Sequence, residues 1–153
     1  MDINSSKLVT SLVNLGYGYN KTYLNMHLPN LSDNLIWHFI RGYFDGDGCI
    51  TRSFTYNTYN KPRLRIHASF TSKNKTLFED IQLFLKKYNI DIRIHKNKRD
   101  NCYLLRTSSI PNIINLYQHL YKDAHFYLNR KFEKFSHYVN TEIPQYASGD
   151  CNA

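Results

Sequence analysis

No run of about 18 apolar residues occurs in the 153-residue chain, so no segment reads as a membrane-spanning helix. The first residues, Met1-Asp2-Ile3-Asn4-Ser5-Ser6, offer neither the basic nor the apolar region of a secretory signal. Cysteine is scarce. Cys49, Cys102 and Cys151 are an odd number without metal-ligand spacing, which suits a reduced cytosolic protein better than a disulfide scaffold. Internal repeats are absent, and acidic residues are few: 12 Asp and Glu stand against 20 Lys and Arg. What is present is about one domain's length of chain. Its 42% hydrophobic and 21% charged residues are the balance of an ordinary globular protein with a real core.

The net charge of +8 points to a partner. A basic domain of this size commonly meets a polyanion, because neutralising phosphates releases condensed counterions. The plain alternative is a basic enzyme with no nucleic-acid role.

Along the chain, residues 1–31 read as a separate lead-in. There Ser5-Ser6 caps a short helix carrying Leu8, Leu12 and Leu15, stopped by Gly16 and Gly18; the segment is either a contacting arm or packing. Ser32 then reads as an N-cap, with Asp33 suited to a helix start. Leu35, Ile36, Phe39, Ile40, Tyr43 and Phe44 form one apolar stripe at helical spacing, and the helix is expected to end near Asp45, where Gly46 and Gly48 permit tight turns.

Two alternating runs follow. Ile50, Phe54 and Tyr56 oppose Thr51, Ser53, Thr55 and Asn57; after a loop, Leu64, Ile66, Ala68 and Phe70 oppose Arg63, Arg65, His67 and Ser69. A helix over about 74–88 precedes a second hairpin, from 91–95 through a polar turn at 96–101 to 102–107. Ser109 and Pro111 suit the N-cap and first position of a helix reaching about 121, a last helix covers about 125–138, and the remainder to 153 is a tail. The order after residue 31 is α-β-β-α-β-β-α-α, an α+β class with antiparallel hairpins covered by helices on one face.

Chemistry concentrates in Asp45-Gly46-Asp47-Gly48. Two carboxylates flanked by glycines suit a hard divalent cation, although the same four residues more often make a surface turn. An EF-hand is unsupported, because no acidic residue follows at the required twelfth position. The pair also stands at the negative end of a helix dipole, where carboxylates cost up to about 1 kcal/mol and a cation would offset them. Gly42 inside the helix costs about 1 kcal/mol relative to Ala, tolerable if another helix must approach closely.

Phe39-Ile40-Arg41-Gly42-Tyr43-Phe44-Asp45-Gly46-Asp47-Gly48 resembles the LAGLIDADG motif of homing endonucleases, in the variant with Arg second and Gly for the second Ala. The helix–hairpin–helix–hairpin–helix order over residues 32–138 is also that family's plan (α-β-β-α-β-β-α). The resemblance implies a LAGLIDADG homing-endonuclease fold, with a saddle-shaped antiparallel sheet, an endonuclease domain over 32–138 and a tail over 139–153. It implies a sequence-specific double-strand DNA endonuclease encoded by a mobile intron, an intein or a free-standing gene, cytoplasmic or organellar according to where its target DNA resides. Such an enzyme hydrolyses phosphodiesters with Mg²⁺, or Mn²⁺ in its place.

Carried over by position, Asp47 would be the metal ligand, with the Gly46 carbonyl beside it and Asp45 structural. Ser72, after the second strand, would help place the attacking water, where family members often have a longer Gln. Lys131 would face the scissile phosphate, with Arg130 on the DNA backbone. One motif per chain implies a homodimer packed through Ile40, Gly42 and Tyr43, and a roughly palindromic target. The alternatives are half of a two-motif protein or a different partner chain.

In such a fold the sheet lies in the major groove. Thr51, Ser53, Thr55, Asn57, Arg63, Arg65, His67, Ser69, Arg93 and His95 would then face DNA. Lys96, Lys98 and Arg99 at the hairpin tip would touch phosphate. Otherwise these are ordinary polar residues of a half-exposed sheet. Two competing functions remain: a non-cleaving DNA- or RNA-binding regulator or maturase on the same fold, and a protein-binding or inhibitory role.

Overall fold

The computed structural model describes residues 5–14, 26–56 and 58–144. Five α-helices, α1 (Ser6–Asn14), α2 (Asp33–Asp47), α3 (Lys75–Lys86), α4 (Ile110–Tyr121) and α5 (Asn129–His137), accompany four strands. The strands β1 (Gly48–Tyr56), β2 (Pro62–Ser72), β3 (Arg93–Asn97) and β4 (Cys102–Thr107) form one antiparallel sheet in the order β1-β2-β4-β3. The α+β expectation holds, and helices α2 to α5 contact the sheet or one another over a single core.

The core follows from the two periodicities. On α2, Ile36, Trp37, Ile40 and Phe44 are buried, and on α3, Leu77, Phe78, Ile81, Phe84 and Leu85. They meet Ile50, Ile66, Ala68, Phe70 and Leu105 from the inner face of the sheet. Full burial of such a side chain contributes about 1.5–3 kcal/mol. In front of the core, Leu28 N–H donates to Asp80 Oδ2 at 3.0 Å, fixing the approach to α2 against α3, while no residue of α1 is buried. Leu15, Gly16 and Gly18 lie outside the described residues.

Several boundaries differ from expectation. Helix α2 runs through Asp47, so Gly46 is helical and Gly48 opens β1 in an extended conformation with φ −75°. No tight turn intervenes. Gly48 is required sterically instead: a Cβ there would collide with the ring and the carbonyl oxygen of Phe44. Pro111 is the second rather than the first residue of α4, and Lys96 belongs to β3 rather than to the turn. Helix α5 begins at Asn129, because the Leu128 N–H is taken by the Asp45 carboxylate. After His137 the chain continues as a π-turn, Tyr138–Glu142, where the tail was expected.

The alternation of β1 fades after Ile50. Phe54 and Tyr56 are 53% and 68% exposed, because the helical layer ends near Arg52, whose guanidinium pairs with Glu142 at 2.8 Å. The first hairpin therefore projects beyond its cover. Asn60 and Asn101, in the connections between paired strands, adopt positive φ of 56° and 46°, which Asn tolerates better than most residues.

Candidate active site and nucleic-acid interface

The last turn of α2 holds two carboxylates in opposite situations. Asp45 is half-buried: Oδ2 accepts from Leu128 N–H at 2.9 Å and Oδ1 from the Tyr121 hydroxyl at 3.2 Å. Burial and this carboxylate together push the Tyr121 phenol strongly up, so it stays a protonated donor. Asp47 is exposed, and among the described residues it accepts no hydrogen bond and joins no ion pair. The last four carbonyls of a helix, which include that of Gly46, lack intrahelical partners. The Phe44 carbonyl is taken by Gly48 N–H, and the Gly46 carbonyl and an unpartnered carboxylate are left at the negative end of the helix dipole, a local field that favours a cation.

Tyr43 and Ser72 lie beside this end. The Tyr43 hydroxyl donates to the Thr71 carbonyl at 2.9 Å. Burial pushes its phenol up, a hydrogen bond with Ser72 opposes the shift, and the nearby Asp47 adds to it. Ser72 Oγ also accepts from Asn74 N–H at 2.9 Å, within the turn that starts α3. The strand and the helix end thereby bring Asp47, Tyr43 and Ser72 into one neighbourhood.

Lys131 does not lie on a solvated helix face. It is buried, its ammonium donates to the Gly48 carbonyl, and it sits 5.5 Å from the centre of the Phe44 ring. Desolvation holds its pKa below the usual lysine range. Its acceptor, the Gly48 carbonyl, is one residue beyond Asp47, so the charge is turned into the α2–β1 junction. Arg130, its neighbour, is exposed.

Among the interface candidates, Ile40 is corrected: it is fully buried in this chain's own core, so it offers a partner nothing. Tyr43 is half-buried and occupied as described. Gly42 is exposed, and a Cβ there or at Gly46 would meet nothing within 4 Å. The more open ridge of α2 runs instead through Leu35, Gly42 and Gly46, with Phe39 half-buried between them against the core.

The sheet's outer face carries the polar half of each alternation. Thr51, Ser53, Thr55, Arg63, Arg65, Arg93 and His95 are exposed, while His67 and Ser69 are half-buried; Asn57 lies outside the described residues. The register sets Thr51 opposite His67, Ser53 opposite Arg65 and Thr55 opposite Arg63. His67 is unusual: its Nδ1 is buried without a partner, and Nε2 is 3.4 Å from Ser53 Oγ. Burial, with Arg106 and Arg65 nearby, holds its pKa below the usual histidine range. Lys96 pairs with Tyr103, in register with Ile94 opposite Leu105, which puts it on the helix side rather than at the tip.

One outer-face residue escapes the sequence reading. Arg106 is exposed and stands between Ser69 of β2 and Arg93 of β3. Its signal was masked because Tyr103, Leu104 and Leu105 are apolar on both sides of β4, leaving no alternation to read.

Known proteins bear on this geometry. A family model described as "LAGLIDADG-like domain" matches residues 34–120. No curated protein matches the chain. Among solved structures, the homing endonuclease I-CvuI, in complex with its target in the presence of Ca, is 19% identical with a TM-score of 0.60, covering 72% of this chain and 68% of its own. The archaeal intron-encoded homing endonuclease I-Vdi141I, complexed with DNA, is 23% identical with a TM-score of 0.61, covering 74% and 72%. The LAGLIDADG meganuclease I-AabMI, bound to uncleaved DNA, is 24% identical with a TM-score of 0.55, covering 73% of this chain but 37% of its own. These likenesses show the fold.

Proposed function

Because the chain belongs to the LAGLIDADG-like domain family, we propose that it is a sequence-specific double-strand DNA endonuclease of the homing type, acting as a homodimer over residues 32–138. The observation that carries this reading is Asp47, exposed and unpartnered in the last turn of α2, where the other carboxylate, Asp45, is engaged by Tyr121 and Leu128.

The residues present fit a hard cation of the Mg²⁺ kind. No group of three metal-type side chains exists among the described residues. Mg²⁺ needs none, since it keeps several waters and takes one or two carboxylates plus substrate phosphates. Asp47 and the Gly46 carbonyl would hold it, and Mn²⁺ would serve in its place. When bound, such an ion stabilises charge developing on phosphate oxygens and lowers the pKa of a water. Lys131 acts from below as a positioning residue: its ammonium fixes the Gly48 carbonyl and so the direction in which Asp47 leaves the helix. Tyr43 and Ser72 border the space where water and phosphate meet. Arg130 reaches the DNA backbone, and the outer-face residues enter the major groove.

Dimerisation is supported by the open α2 ridge, where Gly42 and Gly46 let a second backbone come close. A two-fold axis along this ridge pairs the two Asp47 residues and makes the target roughly palindromic.

A second reading, a non-cleaving regulator or maturase on the same fold, would keep the basic sheet but has no use for a free Asp47. Incubating the protein with a supercoiled plasmid bearing a selected target, with and without Mg²⁺, decides between them. Linear product that requires Mg²⁺ is expected. Tight, salt-sensitive binding with no product would establish the second reading instead.

A further inference from the structure

The outer face holds an arrangement that the general reading does not assign. Arg93 and Arg106 are directly paired across β3 and β4, two guanidiniums side by side. Neither forms an ion pair among the described residues. They line an open cleft of about 480 Å³ together with His67, His95, Asp91 and Asn112. Asp91 is the one carboxylate lining that cleft, and it pairs with neither guanidinium. Like charges directly opposite one another destabilise a sheet, so this pair costs the free protein stability. Burial, with Arg106 and Arg65 nearby, holds the His67 pKa below the usual histidine range, which disfavours a third charge there.

We propose that Arg93 and Arg106 form a guanine-reading pair, and that Arg106 is a specificity-determining residue of the target half-site. The proposal rests on the DNA-binding reading above and goes beyond it. Guanine presents two acceptors, N7 and O6, on its major-groove edge, and a guanidinium offers two parallel donors in matching geometry. Neighbouring guanidiniums suit adjacent guanines, whose acceptors relieve the repulsion between the two cations.

Position favours bases over phosphate. The pair lies on the sheet's outer surface beside Ser69, in register with its strands, whereas Lys98 and Arg99 project at the hairpin tip, where backbone contact is natural. Leu104 faces His95 in the adjacent register position, and an apolar neighbour suits a base edge better than a phosphate.

The test is binding of the intact protein to a randomised duplex library, with the bound sequences read for wild type, Arg106→Gln and Arg93→Gln. Wild type is expected to enrich guanine at neighbouring positions of each half-site. Arg106→Gln should lose about tenfold or more of that preference at one position and leave the other positions unchanged, the size of one bidentate contact. A melting temperature equal to or above that of wild type verifies that each variant is folded. An unchanged profile in Arg106→Gln overturns the proposal. So does a uniform loss of affinity with a shallower salt slope, which marks a phosphate contact. If wild type binds no DNA, the DNA-binding reading itself fails, and this outcome is visible before any variant is compared.

Discussion

The two faces of α2 are built from one stretch of fifteen residues and answer to different demands. Inward, Ile36, Trp37, Ile40 and Phe44 are buried, and Phe44 packs edge-on against Phe70 at 5.3 Å and near Phe135 at 5.4 Å. Outward, Leu35 is 49% exposed and Gly42 and Gly46 leave open space. The same division splits the acidic pair, with Asp45 bound into the fold and Asp47 left free. One face keeps the domain folded; the other carries what a folded domain by itself has no use for.

This contrast can be broken by single substitutions. The largest effect belongs to the inner face. Phe44→Ala should cost about 3–5 kcal/mol in denaturant unfolding, because it leaves a cavity and removes the ring under Lys131. A loss below about 1 kcal/mol would show that the inner face is not the core. On the outer face, Gly42→Glu should leave the monomer as stable as wild type or up to about 1 kcal/mol more stable, since Gly is the poorer helix former and a Cβ there meets nothing. It should weaken self-association by several kcal/mol, since two carboxylates would meet at the axis. Sedimentation showing the same dimer for variant and wild type would remove the ridge from consideration.

Next, Asp47→Asn should lower cleavage by about a hundredfold or more, roughly 2.7 kcal/mol of barrier, with unfolding and DNA affinity close to wild type. Cutting at the wild-type rate would sink the assignment. Asp45→Asn should do the reverse, costing about 1–3 kcal/mol of stability through its hydrogen bonds to Tyr121 and Leu128. Its effect on cleavage should scale with that loss of folded protein.

The smallest effect concerns the sheet. His67 has a depressed folded-state pKa, so below about 6.5 the unfolded chain binds a proton that the native chain resists. Stability should therefore fall as the pH drops from about 6.5 toward the lower folded-state value. His67→Gln should make that slope shallower in melting curves; parallel curves for both proteins would exclude the contribution.

Much of this was legible in the sequence. The stripe on α2, the alternation of β2 and the Asn and Pro punctuation announce the elements, because helices and strands bury one face with fixed periods. The motif from Phe39 to Gly48 identified the family. What escaped depends on contacts between distant residues. Ile40 fits the stripe equally well as core or interface, and only the packing of α2 on its own domain assigns it inward. The inward turn of Lys131 toward the Gly48 carbonyl joins residues 83 positions apart. Phe54 and Tyr56 alternate as core residues do, but the helices stop short of them. Arg106 was hidden by apolar neighbours on both sides of β4.

The strict alternation of β2 has a consequence for how this protein can change over generations. Ile66, Ala68 and Phe70 are fully buried, and the intervening Arg65, His67 and Ser69 point away from them. Substitutions in the second set need not disturb the first, so the outward residues can change one at a time over the same core.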